Sequence, residues 1–303
     1  MKEHLGRHAY IDWFDKFFGT RPGADFSVIV GLFNGPCNYG ISVRYLDGTQ
    51  EVSPVIGAAN WDGDGVPVFT DAIVDTVIHE FCHSYINPLV DKYEAALAGP
   101  AFRIFVHCRE VMARQAYKSW QIMMYESLVR TCVARYIDAT KGKKDLEVYI
   151  KEQYSRGFQW VGDLDKILAI YERKRDRYPK FNAFMPEVVE FFEVYSEKYG
   201  DLVARAPKVV SMVPLNGATD VDPGLTEIKV TFDRPMRDGG WSVCGEGSNY
   251  PAVTDMCFYD KECMVFTLPV RLKPDWSYKL WLNYGQSDEF KSKDGIPLAS
   301  VAL

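Results

Sequence analysis

Residues 70–87 read TDAIVDTVIHEFCHSYIN, and the run His79-Glu80-Phe81-Cys82-His83 inside them decides how the chain is read. Ile73, Val74, Val77, Ile78, Phe81 and Tyr85 recur at helical spacing, which predicts a helix with one apolar face. Thr70 and Asp71 are suited to cap its start, and Asn87-Pro88 to stop it. Four residues apart on such a helix, His79 and His83 project from the same side, one turn from each other. A glutamate follows the first histidine. This is the H-E-x-x-H arrangement, in which two imidazoles hold zinc and the carboxylate works on water at the metal. A helix with two histidines and no metal is the plainer alternative. Against it, Glu80 is the only Glu or Lys in the stretch, where a solvated surface helix would carry more.

A hydrolytic zinc site takes three protein ligands and keeps one position open. The extended form, H-E-x-x-H-x-x-G-x-x-H, would need glycine at position 86 and histidine at 89, where this chain has Ile86 and Leu89. The third ligand is therefore sought among Glu94, Glu110, Glu126, Glu147 and Glu152, with His107 as the histidine alternative. Glu126 is favoured. It lies in QIMMYESLVRT among apolar helical neighbours, and no other acidic residue occurs between Glu110 and Asp138. A carboxylate on a buried face is costly unless it is paired or bound to a metal. An ion pair with Arg130, one helical turn on, fits the same residues. Glu80 is expected to serve as general base, and Tyr154 and Arg130 are candidate donors to a developing oxyanion.

Outward from this centre, 303 residues suggest two domains. A composition of 47% hydrophobic and 25% charged residues fits an ordinary soluble globular chain. The net charge of -6 argues against nucleic-acid binding. No apolar run is long enough to span a bilayer, and the opening MKEHLGRHAYIDWFDKFF lacks the pattern of a signal peptide. Seven cysteines form no C-x-x-C pair; Cys257 and Cys263, flanking FYDKE, could pair across a hairpin.

Residues 10–18 read as a short aromatic helix and 26–33 as an apolar strand. Runs 39–45 and 51–56 form a hairpin, and 60–65, NWDGDG, a loop. One of these runs is expected to be an edge strand above the motif helix, able to pair with an extended peptide. Residues 91–98 suggest a short helix ended by Gly99-Pro100. A long helical pattern follows from 101 to 140, with a break near 116–119. Helices over 145–154, 163–178 and 187–199 come next, the last opening at Pro186 and closing at Gly200. Beyond Ala204 the pattern changes to short strands at 208–213, 227–232, 257–259, 264–268 and 278–283, as in a β-sandwich. The expected architecture is α+β, with domains over 1–204 and 205–303.

HEFCHSYINPLVDKY (79–93) followed by MMYESLVR (123–130) resembles a bacterial domain-of-unknown-function family of gluzincin-like metallopeptidases, over most of residues 1–200. The resemblance implies a mainly helical zincin-like domain with a small sheet, and a glutamate on a later helix as third ligand, here Glu126. His79, Glu80 and His83 match the pattern; a serine often found between the histidines is Cys82 here. VVSMVPLNGATDVDP, IKVTFDRPM, LKPDWSYKLWLN and KSKDGIPL, within 207–303, resemble a bacterial Ig-like domain of the surface-layer type. That resemblance implies an extracytoplasmic location.

The combined expectation is a zinc-dependent hydrolase of peptide or related amide bonds. His79, His83 and Glu126 would hold Zn2+ and Glu80 would be the base, acting on a peptide or protein substrate. A non-catalytic surface binding protein with a structural or vestigial metal, and an amidase acting on cell-wall peptide, are the rival readings.

Overall fold

Met123, Met124, Leu128, Val129, Cys132, Val133, Ala134, Tyr136 and Ile137 lie on all sides of one helix and are all buried. A helix apolar all round belongs at the centre of a domain. The computed structural model describes residues 10–245, 247–284, 287, 289–299 and 301–303; His4 and His8 lie outside them. The fold is α+β, in two compact units, one ending at Glu197 and the other beginning at Lys198.

The first unit contains α1 (Tyr10–Phe18), α2 (Ile73–Lys92), α3 (Glu94–Arg114), α4 (Trp120–Thr140), α5 (Lys143–Ser155) and α6 (Val161–Arg173). It also takes in most of α7 (Phe181–Arg205). The central helix is α4, packed against α2, α3, α5 and α6. Arg135 ties it to α6 through Asp165 at 3.1 Å and Glu172 at 2.5 Å. In α1, Trp13 stacks on Phe17 and meets Tyr136 edge-on, while Phe14 and Phe18 stack on Tyr85. The break expected near 116–119 is present. Ala116 adopts a left-handed φ of 67°, the amide of Tyr117 bonds back to Met112 O, and Ser119 Oγ caps α4 by accepting from Ile122 N.

Three prolines expected to bound helices lie inside them: Pro88 in α2, Pro100 in α3 and Pro186 in α7. Proline removes the donor that the carbonyl four residues back would use. At Pro88 that carbonyl is Ser84 O, and Arg21 replaces the donor: NH2 reaches Ser84 O at 2.8 Å and NH1 reaches Ser84 Oγ at 3.2 Å. At Pro186 it is Asn182 O, which Tyr93 Oη approaches at 3.4 Å. The start of α2 also differs from expectation. Thr70 and Asp71 make a preceding turn, through Ile73 N to Thr70 O and Val74 N to Asp71 O, and the helix has no side-chain cap.

The small sheets hold β1 (Ala24–Phe26), β2 (Ile29–Gly31), β3 (Ser42–Arg44), β4 (Gln50–Val52) and β5 (Val55–Gly57). β1 pairs parallel with β4, β3 pairs antiparallel with β4, and β2 pairs parallel with β5. The expected strand 26–33 is thus two short strands. The ladder is interrupted where Pro54 faces it, since Pro54 accepts from Ile29 N but has no N–H to return. NWDGDG forms the turn of a hairpin, β6 (Asn60–Trp61) and β7 (Pro67–Val68), with Asp62 Oδ1 accepting from the amides of Asp64 and Val66.

The second unit is a two-sheet Ig-like assembly. One sheet has the order β11 (Ala252–Val253), β13 (Val265–Arg271), β9 (Glu227–Phe232), β8 (Val209–Val213), with β12 (Phe258–Tyr259) also on β13. The other runs β10 (Val243–Gly245), β14 (Leu280–Leu282), β15 (Val301–Ala302). Along β9, Ile228, Val230 and Phe232 alternate inward and share one core with Phe266, Leu268, Leu280, Leu282 and Phe290. Buried Asn283 stitches the end of β14 to the following segment by donating to Phe290 O and Leu298 O and accepting from Phe290 N. The hairpin between Cys257 and Cys263 exists, but both thiols are free. Pairing of Phe258 with Thr267 and Tyr259 with Phe266 carries Cys257 toward Leu268 and leaves Cys263 in the turn.

Candidate metal centre

The apolar residues of α2 bury Val77, Ile78, Phe81, Cys82 and Ile86 against the unit, and this fixes the rotation of the helix. His79 and His83 are set on its flank, toward α4. There they meet Glu126, whose side chain descends from α4 with only 7% of the residue exposed. His79 Nε2 and His83 Nε2 stand 3.3 Å apart. His79 Nε2 lies 3.5 Å from Glu126 Oε2, and His83 Nε2 lies 3.4 Å from Glu126 Oε1. Tetrahedral zinc with ligand bonds of about 2.0–2.2 Å holds its donor atoms roughly 3.3–3.6 Å apart. Each of these separations falls in that range, the two nitrogen–oxygen ones reaching different oxygens of Glu126, and two imidazoles with a carboxylate are a donor set suited to that ion.

The neighbours orient these ligands. Asn87 Oδ1 is 3.1 Å from His83 Nδ1. With the hydrogen on Nδ1, Nε2 keeps its lone pair for the centre. Glu126 Oε2 accepts from Arg130 NH2 at 3.0 Å and from Tyr117 Oη at 3.1 Å. Arg130 also donates to Tyr117 Oη and to Gln153 Oε1, both at 2.8 Å, and its guanidinium lies 4.7 Å from the centre of the Phe158 ring.

Electrostatics follow from this enclosure. Burial works against the Glu126 carboxylate, but hydrogen bonds and charge from His79, His83 and Arg130 outweigh it and hold the group well below the usual range. Burial lowers His79 more than Glu126 raises it, so this imidazole is kept neutral. At His83 burial also pulls downward, but Glu126 and Asn87 win and the value rises. Burial pushes Glu80 up to about 7, with His83 partly opposing. A carboxyl group there can exchange a proton near neutrality.

Residues 38–41 run against α2 at this point. A Cβ on Gly40 would stand 2.4 Å from Glu80 O and 2.8 Å from His83 Cβ, so only glycine permits the approach. β3 follows directly and is the exposed edge of its sheet.

The other ligand candidates lie elsewhere. Glu94, Glu110 and His107 are exposed on α3, and Glu147 is exposed on α5. Glu152 pairs with Arg156 at 2.7 Å. Tyr154 has its hydroxyl over Gly162 of α6, and Arg130 is engaged with Glu126, so neither is placed as an oxyanion donor. The sequence assigned no role to Tyr117 and Gln153, and to Asn87 only that of a helix stop. Asn87, one turn after His83, carried a readable signal; the other two did not.

Fold and site together define an α+β chain with a two-histidine, one-glutamate cluster, its histidines half-buried and its glutamate buried, and an Ig-like unit. The chain belongs to the family described as Domain of unknown function (DUF4932), whose model matches residues 1–191. Residues 203–292 match the Bacterial Ig-like domain. No curated protein matches the chain. Similar solved structures include domains 1–6 of the surface layer protein SbsC, at 16% identity and a TM-score of 0.21, covering 76% of this chain and 32% of that one. A crystal structure of the S-layer protein rSbsC gives 16%, 0.21, 74% and 32% for the same quantities. The chain thus spans 32% of the length of these solved chains. Among the described residues, no helix is long and apolar enough to cross a membrane.

Proposed function

We propose that His79, His83 and Glu126 hold a zinc ion and that the protein is a hydrolase of peptide or related amide bonds. The observation that carries this reading is the convergence of three side chains, two Nε2 atoms 3.3 Å apart and each within 3.5 Å of one Glu126 oxygen, beside the buried carboxyl of Glu80. Zinc bound there supplies a Lewis acid that acidifies water and polarises a carbonyl.

The chain's own residues do the rest. Glu80 takes a proton from the water that attacks the carbonyl and returns it to the leaving amine. An extended peptide can add to the free edge of β3, exposed along its whole length, which runs directly on from the segment packed on α2. The Ig-like unit supports an extracytoplasmic setting. A net charge of -6 disfavours nucleic acid as a partner.

Full-length protein prepared without chelator and supplied with zinc should cleave members of a mixed peptide library followed by mass spectrometry. Glu80→Gln should keep its zinc and lose roughly 10²–10⁴-fold in rate. Equal rates in the two proteins would remove Glu80 as base, and the absence of bound zinc from the folded wild type would end the metal reading.

A further inference from the structure

Glu126 does more than face two histidines. Its Oε2 accepts from a guanidinium at 3.0 Å and a phenolic hydroxyl at 3.1 Å, themselves joined at 2.8 Å, and stands 3.5 Å from His79 Nε2. The triangle is closed and directional. Arg130 is buried and braced, with NH1 on Gln153 and the cation over Phe158, while its Nε has no hydrogen-bond partner. Gln153 is in turn fixed, donating to Tyr149 O and accepting Phe158 N at its own carbonyl. The guanidinium is thus aimed by its surroundings, even at the expense of one of its donors.

Tyr117 reaches the same oxygen from the connection between α3 and α4. The left-handed residue Ala116 turns the chain there, and the Tyr117 ring meets Phe158 edge-on at 6.1 Å. An ion pair by itself would need only Arg130. The added hydroxyl fixes the plane of the carboxylate, because a second donor to one oxygen restricts rotation about the last side-chain bond.

We propose that Tyr117 and Arg130 are positioning residues for Glu126, which fix the plane of its carboxylate so that Oε1 faces His83 and Oε2 faces His79. The inference rests on the zinc reading of His79, His83 and Glu126, and goes beyond it by stating what orients the carboxylate and sets the affinity.

The test uses the full chain and two variants. Tyr117→Phe keeps the ring against Phe158 and deletes the hydroxyl; Arg130→Lys keeps the charge and deletes the planar fork. Zinc dissociation constants are measured by competition with a chromophoric chelator, and cobalt(II) is bound to record its visible absorption, which reports coordination geometry. Thermal midpoints of the metal-free proteins are recorded alongside. Tyr117→Phe should bind zinc about tenfold more weakly and shift the cobalt bands, with its metal-free midpoint close to wild type. Arg130→Lys should weaken zinc in the same direction. Unchanged affinity and unchanged cobalt bands in both folded variants would overturn the proposal, even if their midpoints fall. Failure of folded wild type to bind zinc would be a different result: it would sink the metal reading, and this proposal with it.

Discussion

Glu126 had two readings in the sequence, metal ligand and partner of Arg130. In the structure the residue meets both Arg130 and the two histidines. Its Oε1 faces His83, while Oε2 accepts from Arg130 and Tyr117 and also stands 3.5 Å from His79 Nε2. The residue was legible because a lone acid in an apolar helix must be compensated by something. Tyr117 was not legible, since its approach depends on the backbone turn at Ala116 rather than on any helical period. Asn87 belongs to the same scale. Its bond to His83 Nδ1 fixes the imidazole for the centre, so Asn87→Ala should weaken zinc binding about 10–100-fold. Chelator competition on the purified variant measures this, and an unaltered constant would show that the ring needs no such guide.

At the scale of elements, periodicity located the helices and punctuation misplaced their ends. Pro88, Pro100 and Pro186 all sit within helices because tertiary packing outweighs the loss of one hydrogen bond. At Pro88 the compensation is specific. Arg21, more than 60 residues earlier, donates to the carbonyl that proline leaves open and lies 4.0 Å over the Tyr85 ring. Such a pairing cannot be seen in local sequence. Arg21→Ala should therefore destabilise the first unit by about 1–3 kcal/mol, the range for a buried acceptor left without its donor. Pro88→Ala, which returns a backbone N–H to Ser84 O, should recover part of that loss in the double variant. Urea unfolding of the four proteins in the cycle reads the coupling, and strict additivity would contradict it.

For the whole molecule, the change in strand and helix pattern near Ala204 pointed to two domains, and the chain forms two compact units. The β-sandwich was readable because its inward residues alternate along β9, as in Ile228, Val230 and Phe232. The sheets of the first unit were read less well. Their strands are two or three residues long, too short for alternation to register, and one is cut by the missing donor of Pro54. Because all three donors belong to the first unit, zinc should raise the thermal transition of that unit alone. At a free concentration 100 times the dissociation constant the gain is about 2.7 kcal/mol. Scanning calorimetry of the full chain, with and without zinc, should show one transition displaced and the Ig-like one fixed. Equal displacement of both would deny that the metal acts through the first unit.

Gly40 has a further consequence for how such a chain can change over time. Its contact with Glu80 is main chain against main chain, at a distance that leaves no room even for a methyl group. The gap between that segment and the helix is therefore a fixed gauge, independent of which side chains surround it. Tyr39, Ile41 and Val43, all about half exposed beside it, can be exchanged without resetting that gauge. Lining and frame are thereby separated: the exposed positions can vary while the segment keeps its spacing from the helix.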